Sequence, residues 1–358
     1  MNTARFGQAM LKLLLLLSVA VLLCSCNAHQ QEREILSYLC ECNADGSDFK
    51  LLCRNNYSIQ KFQGLYQSHI LLFSYPFKIE HGIEDDLFAF RDDGIFKYDR
   101  QDGDWREYLT ESTFAYRTSS YLHSLEQSGE YYFTAGSKLY RMQRDGSNQD
   151  LLYSSVKHCT GIPYQSHFSV LTADGLLQME NGNLSQQAIT LPEWTSRAYY
   201  FSQADIIVYV LMDEIWRCDA DGSNAELIYI LQNNTMVHPS FYPIDDAGRF
   251  ITSIGLDREV HMLLIDATDG SVRDLGIINL TRLPNLKYSP FQLSRSRDGS
   301  KLLFHDSTAL YLYDLASHQK ETVLISGIDN FNLRNISSAS ISADGAKINF
   351  ICDVYKYK

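Results

Sequence analysis

The sequence predicts an all-β protein, a β-propeller of seven four-stranded blades whose ring is closed by pairing an N-terminal half-blade with a C-terminal half-blade. Three observations predict this fold. A hairpin turn recurs along the chain, its copies are spaced like propeller blades, and the chain ends hold complementary halves of one repeat. The propeller is expected to occupy residues 35–358, after a signal peptide at 1–25 and a tether at 26–34.

The first 25 residues have the pattern of a secretory signal peptide. Basic Arg5 and Lys12 precede an apolar run at 13–23, which is shorter than the roughly 20 residues that a transmembrane helix needs. The following Ser25 and Cys26 resemble the lipobox of bacterial lipoproteins, in which a cysteine after a small residue receives diacylglycerol. The resemblance implies lipidation at Cys26 and attachment to the outer side of a bacterial cell membrane, or to an outer membrane if the cell has one. An ordinary secretory peptide is the alternative.

One turn sequence recurs through the chain. Residues 218–224 match residues 42–48 at five of seven positions, and 144–148 contain the same turn. Each copy holds an Asp-Gly pair, which supplies the positive φ of a tight hairpin, between alternating apolar residues. Weaker copies of the strand before this turn bring the total to seven.

The spacing of these copies predicts blades. Their strands end at residues 43, 99, 143, 180, 219, 266 and 314, with intervals of 37 to 56 residues. Four short strands fill such a unit, and propeller blades of about 40–45 residues are common. Six blades would result if the irregular copy at 176–190 is not a blade, and eight if the 56-residue interval contains another.

A second hairpin appears twice near the end of the chain. Residues 296–304 and 342–350 share Ser-x-Asp-Gly-x-Lys followed by apolar residues. They resemble the WD-like repeats of the TolB propeller family, in which this turn joins the first two strands of a blade. The Asp-Gly-Ser-Asn copies resemble a poorly characterised bacterial propeller family often found in lipoproteins. Both resemblances imply blades, and neither carries over a catalytic residue.

The chain ends with half a blade and begins with the other half. Strands around 342–350 supply the inner half, and strands around 36–53 supply the outer half. Pairing these halves closes the ring and removes the exposed sheet edges that favour aggregation.

Four cysteines fall in this closing blade: Cys40, Cys42, Cys53 and Cys352. A disulfide from Cys352 to Cys40 or Cys42, or from Cys40 to Cys53, would join the chain ends, and an oxidising compartment would permit it. Buried free thiols are the alternative, since cysteine is a common small core residue. We expect no metal site, because the Cys-x-Cys spacing lacks the usual zinc-knuckle pattern.

No sequence motif identifies an enzyme. Gly-x-Ser-x-Gly, His-Glu-x-x-His and a phosphate-binding glycine loop are absent, and no cofactor is expected. His81 and His305 have acidic neighbours and are expected to be solvated surface residues. The net charge of −12 argues against binding nucleic acid through a basic surface.

Aromatic residues make up 12% of the chain, and most lie on alternating strand positions that predict core packing. Trp105 and Trp194 lie nearer predicted turns and are the candidate loop aromatics for ligand binding. The longer connections, including 54–67 and 278–287, join one blade to the next. A ligand is expected on the face that carries them, because variable loops on a rigid scaffold commonly bind ligands.

Together these observations predict a membrane-anchored extracytoplasmic module that binds a protein, peptide or glycan. The alternative is an enzyme of lactonase, lyase or glycosidase type, with side chains from several blades converging on the central funnel. Three or four His, Asp, Glu or Asn side chains around the axis would favour the enzyme.

Overall fold

The computed structural model describes residues 34–55, 78–81, 86–91, 94–109, 122–125, 129–135, 137–162, 165–231, 240–256, 259–278, 293–305, 309–323 and 332–356. The regular elements in these ranges are β-strands, which form seven antiparallel four-stranded sheets arranged as a β-propeller. The predicted all-β fold with seven blades is confirmed.

The first four blades follow one another along the chain. Blade 1 contains Lys78–His81 (β3), Leu87–Arg91 (β4), Gly94–Asp99 (β5) and Asp104–Leu109 (β6). Blade 2 contains Leu122–Leu125 (β7), Glu130–Ala135 (β8), Lys138–Gln143 (β9) and Asp150–Tyr153 (β10). Blade 3 contains Val156–Gly161 (β11), His167–Thr172 (β12), Leu176–Glu180 (β13) and Asn183–Leu184 (β14). Blade 4 contains Thr195–Phe201 (β15), Ile206–Leu211 (β16), Glu214–Asp219 (β17) and Glu226–Ile230 (β18).

The last blade combines both ends of the chain. Blade 5 contains Phe241–Pro243 (β19), Arg249–Leu256 (β20), Glu259–Asp266 (β21) and Val272–Ile278 (β22). Blade 6 contains Ser294–Arg295 (β23), Lys301–His305 (β24), Leu310–Asp314 (β25) and Gln319–Val323 (β26). The closing blade contains Asn332–Ile341 (β27), Lys347–Lys356 (β28), Glu34–Asn43 (β1) and Lys50–Asn55 (β2), in that spatial order.

The third strand of every blade ends where the repeat predicts. These ends are Asn43, Asp99, Gln143, Glu180, Asp219, Asp266 and Asp314. The irregular copy at 176–190 therefore forms part of a blade, although its fourth strand β14 has only two residues.

The recurring Asp-Gly turn is held by its aspartate side chain. After β17, the Asp221 carboxylate accepts a hydrogen bond from the Ser223 N–H at 2.8 Å, and Gly222 has a φ of 87°. Asp45 and Asp145 accept the equivalent bond. Hydrogen bonds from the following serine lower the pKa of all three carboxyl groups. These aspartates therefore act as turn residues.

The first strand of each blade lies nearest the axis of the ring. β11 contacts β15 in the next blade and also β19 in the blade beyond it, and β27 contacts β3 and β23. Fourth strands such as β18 and β26 are mostly exposed, so they form the rim. Large side chains, including Tyr199, Phe201 and Phe250, are buried between blades.

The closing blade joins the chain ends by a long strand pair. β1 and β28 pair in continuous register from Glu34 opposite Lys356 to Asn43 opposite Lys347. Strand β27 is innermost and β2 outermost. The predicted closure, with C-terminal strands inside and N-terminal strands outside, is confirmed.

Candidate functional site

Several predicted sites lie outside the described residues. These are Cys26 with the whole signal segment, and most of the long inter-blade connections. Lipidation and the predicted ligand-binding loop face therefore stay predictions. Within the described ranges, no helix has the length and hydropathy needed to cross a bilayer.

The cysteines of the closing blade lie on two different faces. Cys40, Cys42 and Cys352 pack in one apolar cluster, whereas Cys53 packs in a cluster on the opposite face. All four are free thiols in the structure, and Cys40 Sγ lies 3.4 Å from Cys352 Sγ. Cys42 is in register with Ile348, four residues from Cys352 along β28, or about 13 Å. Of the bridges that the sequence suggests, geometry permits the pair of Cys40 and Cys352 and disfavours the other two.

The two candidate tryptophans have different surroundings. Trp194 lies in the turn before β15 and is 68% exposed. Trp105 lies in β6 and not in a loop, because the preceding turn is short and places it opposite Tyr98. The Trp105 and Tyr98 rings pack edge to face with centroids 5.4 Å apart. Trp194 is therefore the better placed of the two for stacking on a ligand.

His81 and His305 are both buried, which corrects the expectation that they are solvated. His81 lies at the end of β3, where blade 1 packs against the closing blade. Its Nδ1 is 2.9 Å from Ser340 Oγ, and its Nε2 is 3.0 Å from Asn349 Oδ1. Burial lowers the pKa of His81 to about 4. The neutral ring therefore links two blades at neutral pH.

Polar side chains from four consecutive blades meet beside the axis, and we call these four residues the channel cluster. His167 begins β12 in blade 3, Tyr199 lies in β15 of blade 4, Asp246 lies in the first turn of blade 5, and Arg295 lies in β23 of blade 6. Blades 3 and 5 are not neighbours. A direct bond between His167 and Asp246 can therefore form only where the blades converge at the axis.

Three members of the channel cluster form a triangle of hydrogen bonds. His167 Nε2 lies 2.8 Å from Asp246 Oδ1, and the Tyr199 hydroxyl lies 2.9 Å from each of them. The hydroxyl has one hydrogen, which it donates to Asp246, so Nε2 must carry the hydrogen that binds the carboxylate. The His167 and Asp246 side chains are 14% and 16% exposed. The triangle is therefore partly accessible from outside the core.

Arg295 places a positive charge near this triangle. Its Nε and Nη1 atoms are buried and make no hydrogen bond to any residue that the structure describes. Burial lowers the pKa of the guanidinium, while Asp245, Tyr199 and Asp246 interact with it favourably. A buried donor without an acceptor costs about 1–3 kcal/mol. Packing of the fold alone therefore does not explain an arginine at this position.

Equivalent positions in the neighbouring blades are apolar. A backbone hydrogen bond across the first turn, from Ile244 to Arg249, Ser296 to Lys301 and Ser342 to Lys347, aligns blades 5, 6 and 7. The residues immediately before these turns are Pro243, Arg295 and Ile341. Pro243 and Ile341 are both buried. The blade scaffold therefore accepts an apolar side chain here, and the arginine is specific to blade 6.

Gly299 in the first turn of blade 6 makes room for Arg295. Gly299 has a φ of 72°, and a Cβ atom added there would overlap the Arg295 guanidinium. Gly345 occupies the same place in the closing blade with a φ of 71°, and its Cβ would meet only Ser296 Cβ at 3.3 Å and Lys301 beyond it. The turn glycine thus has an additional role in blade 6.

Comparison with known proteins shows likeness of fold only. No known protein family and no curated protein matches the sequence. A provisionally assigned 6-phosphogluconolactonase from Bacteroides fragilis is 11% identical, with 83% of this chain and 95% of that chain covered and a TM-score of 0.48. Oligogalacturonate lyase from Vibrio parahaemolyticus is 11% identical, with coverages of 80% and 91% and a TM-score of 0.45. The extracellular domain of a provisionally assigned hybrid two-component system from B. thetaiotaomicron is 12% identical, with coverages of 78% and 40% and a TM-score of 0.47.

The composition of the channel cluster suits hydrogen bonding to a ligand. Arg295 offers donors, and Asp246 and Tyr199 offer oxygen atoms. Among the described residues, no group of three His, Cys, Asp or Glu side chains is arranged to hold a metal ion. The first turns lie on the face opposite the inter-blade connections, because successive antiparallel strands reverse direction. The cluster therefore lies toward the other face from the one that loop length favours.

Proposed function

We propose that this protein is a lipid-anchored, extracytoplasmic β-propeller that binds a protein, peptide or glycan through the channel cluster. The observation that carries the proposal is Arg295, a half-buried arginine beside the axis with two buried N–H groups that no described residue accepts. Neighbouring blades hold proline and isoleucine at the same point. A ligand oxygen would supply the missing acceptor.

The chemistry of the cluster defines what such a ligand must offer. Arg295 requires oxygen acceptors, which peptide carbonyls and carboxylates and sugar hydroxyls all supply. Nearby carboxylates offset the charge of Arg295, since Asp245 pairs with Arg249 at 2.6 Å and Asp246 accepts bonds from the triangle. The site therefore does not require a highly charged ligand. Trp194 is exposed on blade 4 and offers a separate stacking surface.

An enzyme is the alternative, and one observation favours it. Asp246 orients the His167 ring, as a carboxylate orients a general base in many hydrolases. However, both Asp246 and Tyr199 bind the same nitrogen, Nε2, so only Nδ1 is left for proton transfer. Binding explains Arg295 directly, and we therefore prefer it.

Peptide and glycan arrays test the proposal with the full chain purified in detergent. We expect wild-type protein to bind a defined set of array ligands and the Arg295→Ile variant to bind them about 10–100-fold more weakly. This range corresponds to losing one hydrogen bond from a charged group, about 1.5–3 kcal/mol. Isoleucine is the matched replacement because Ile341 occupies the equivalent position of the closing blade.

The control is Arg106→Ile, which removes the same charge from the exposed outer strand of blade 1. It should leave the bound ligands and their affinities unchanged. Equal binding by wild type and Arg295→Ile, or no array ligand bound by wild type, would contradict the proposal.

A further inference from the structure

Cys40 and Cys352 face each other inside the strand pair that closes the ring. Cys40 lies on β1 and Cys352 on β28, and both side chains are fully buried. Cys40 is in register with Phe350, and Tyr38 is in register with Cys352, so the two cysteines are diagonal neighbours on one face. Their sulfur atoms are 3.4 Å apart. The two thiols belong to opposite ends of the chain.

We propose that Cys40 and Cys352 form a disulfide in the exported protein and that this bond covalently locks the ring at its seam. The proposal rests on the extracytoplasmic location proposed above, since thiols are oxidised in such compartments and kept reduced in the cytosol. It goes beyond ligand binding because it concerns how the ring stays closed. It assigns a covalent modification to one specific pair among six described cysteines.

The geometry requires little movement. A disulfide has a sulfur–sulfur bond of about 2.05 Å, so the two atoms must approach by about 1.4 Å. Small rotations of both side chains share this change, while the backbone register of β1 and β28 stays as it is. Neither Cys42 nor Cys53 competes, because Cys42 is too far along the strand and Cys53 lies on the other face.

The chemistry balances with a disulfide as the oxidant. The thiolate of one cysteine attacks the disulfide of a thiol–disulfide oxidoreductase, forms a mixed disulfide and releases one thiol of the oxidant. The second cysteine then attacks the mixed disulfide, which forms the Cys40–Cys352 bond and releases the other thiol. The two cysteines lose two protons and two electrons, and the oxidant gains them. Because both thiols are buried in the folded ring, oxidation occurs during folding or local opening of the seam.

The bond would constrain a very long loop. The cysteines are 312 positions apart in sequence, so the cross-link removes much conformational freedom from the unfolded chain. We therefore expect the oxidised protein to unfold at a temperature about 3–8 °C higher than the reduced protein.

The test uses the reduced, unfolded full chain, refolded in detergent with a mixture of oxidised and reduced glutathione. After free thiols are blocked, proteolysis and mass spectrometry should find a peptide linked through Cys40 and Cys352. Melting curves with and without reductant should show the expected shift, which Cys40→Ala should abolish and Cys42→Ala should retain. Because this arm does not depend on cellular location, it separates the pairing from the proposed function.

A second arm maps the same peptides in protein extracted from bacterial membranes, with free thiols blocked at lysis. The linked peptide is expected there as well. Free Cys40 and Cys352 in the extracted protein, a different cysteine pair, or a melting shift that persists in Cys40→Ala would overturn the proposal. The wild-type peptide map decides the matter even if one variant fails to fold.

Discussion

Replacing Cys26 by serine is expected to move the protein from the membrane fraction to the soluble fraction. Serine has no thiol to receive diacylglycerol, so the lipid anchor is lost. Each buried methylene of an acyl chain contributes about 0.8 kcal/mol, so a multiply acylated protein is held firmly and an unacylated one is not. Fractionation of cells labelled with a radioactive fatty acid measures both the label and the location.

Cys24→Ser is the matched control for this experiment. Cys24 follows the bulky residue Leu23, whereas Cys26 follows the small residue Ser25. Cys24→Ser should therefore keep the label and stay in the membrane fraction. A Cys26→Ser variant that is still labelled or still membrane-bound would show that the lipobox resemblance is misleading.

Acidification from pH 7 to pH 5 is expected to reduce the free energy of unfolding by about 2 kcal/mol through His81. The pKa of His81 is lowered by burial from 6.5 to about 4 in the folded protein. The unfolded chain therefore takes up a proton below pH 6.5 while the folded chain does not, so stability falls as pH falls. The total loss by pH 4 is about 3 kcal/mol. Urea unfolding at a series of pH values measures the slope.

The His81→Gln variant separates this effect from the carboxyl groups. Glutamine does not titrate, so the loss between pH 7 and pH 5 should be about 2 kcal/mol smaller than in wild type, whatever the variant's stability at pH 7. Glu41 lies in the same network, and its pairing with Arg100 outweighs burial and lowers its pKa, so it contributes mainly below pH 4.5. An unchanged slope in His81→Gln would mean that His81 is protonated in the folded protein.

The sequence predicts the fold well because the repeated turn is a local feature. Asp221 and Gly222 act through hydrogen bonds and backbone angles within a few residues, so each copy marks the end of a third strand. Ring closure is also readable, since the two half-blades are complementary. Trp105 and His81 were harder to place because their burial depends on the neighbouring strand and blade. Their sequence neighbours carry no information about those contacts.

The channel cluster could not be found by motif searching. His167 and Asp246 come from separate blades and meet only because the ring converges at its axis. One signal was available in the sequence. Aligning the turns at 296–304 and 342–350 places Arg295 opposite Ile341, and a charged residue where the sister repeat is apolar marks a position with a special role.

Equilibrium unfolding of the Arg295→Ile variant tests most directly whether Arg295 serves a ligand or the fold. If the channel cluster is a binding site, removing the buried unpaired donors should leave the free energy of unfolding unchanged or raise it by about 1–2 kcal/mol. Arg217→Ile is the comparison, because Arg217 donates to Glu226 and to the Ala267 and Thr268 carbonyls, and its loss should be destabilising. A similar destabilisation in Arg295→Ile would contradict the account.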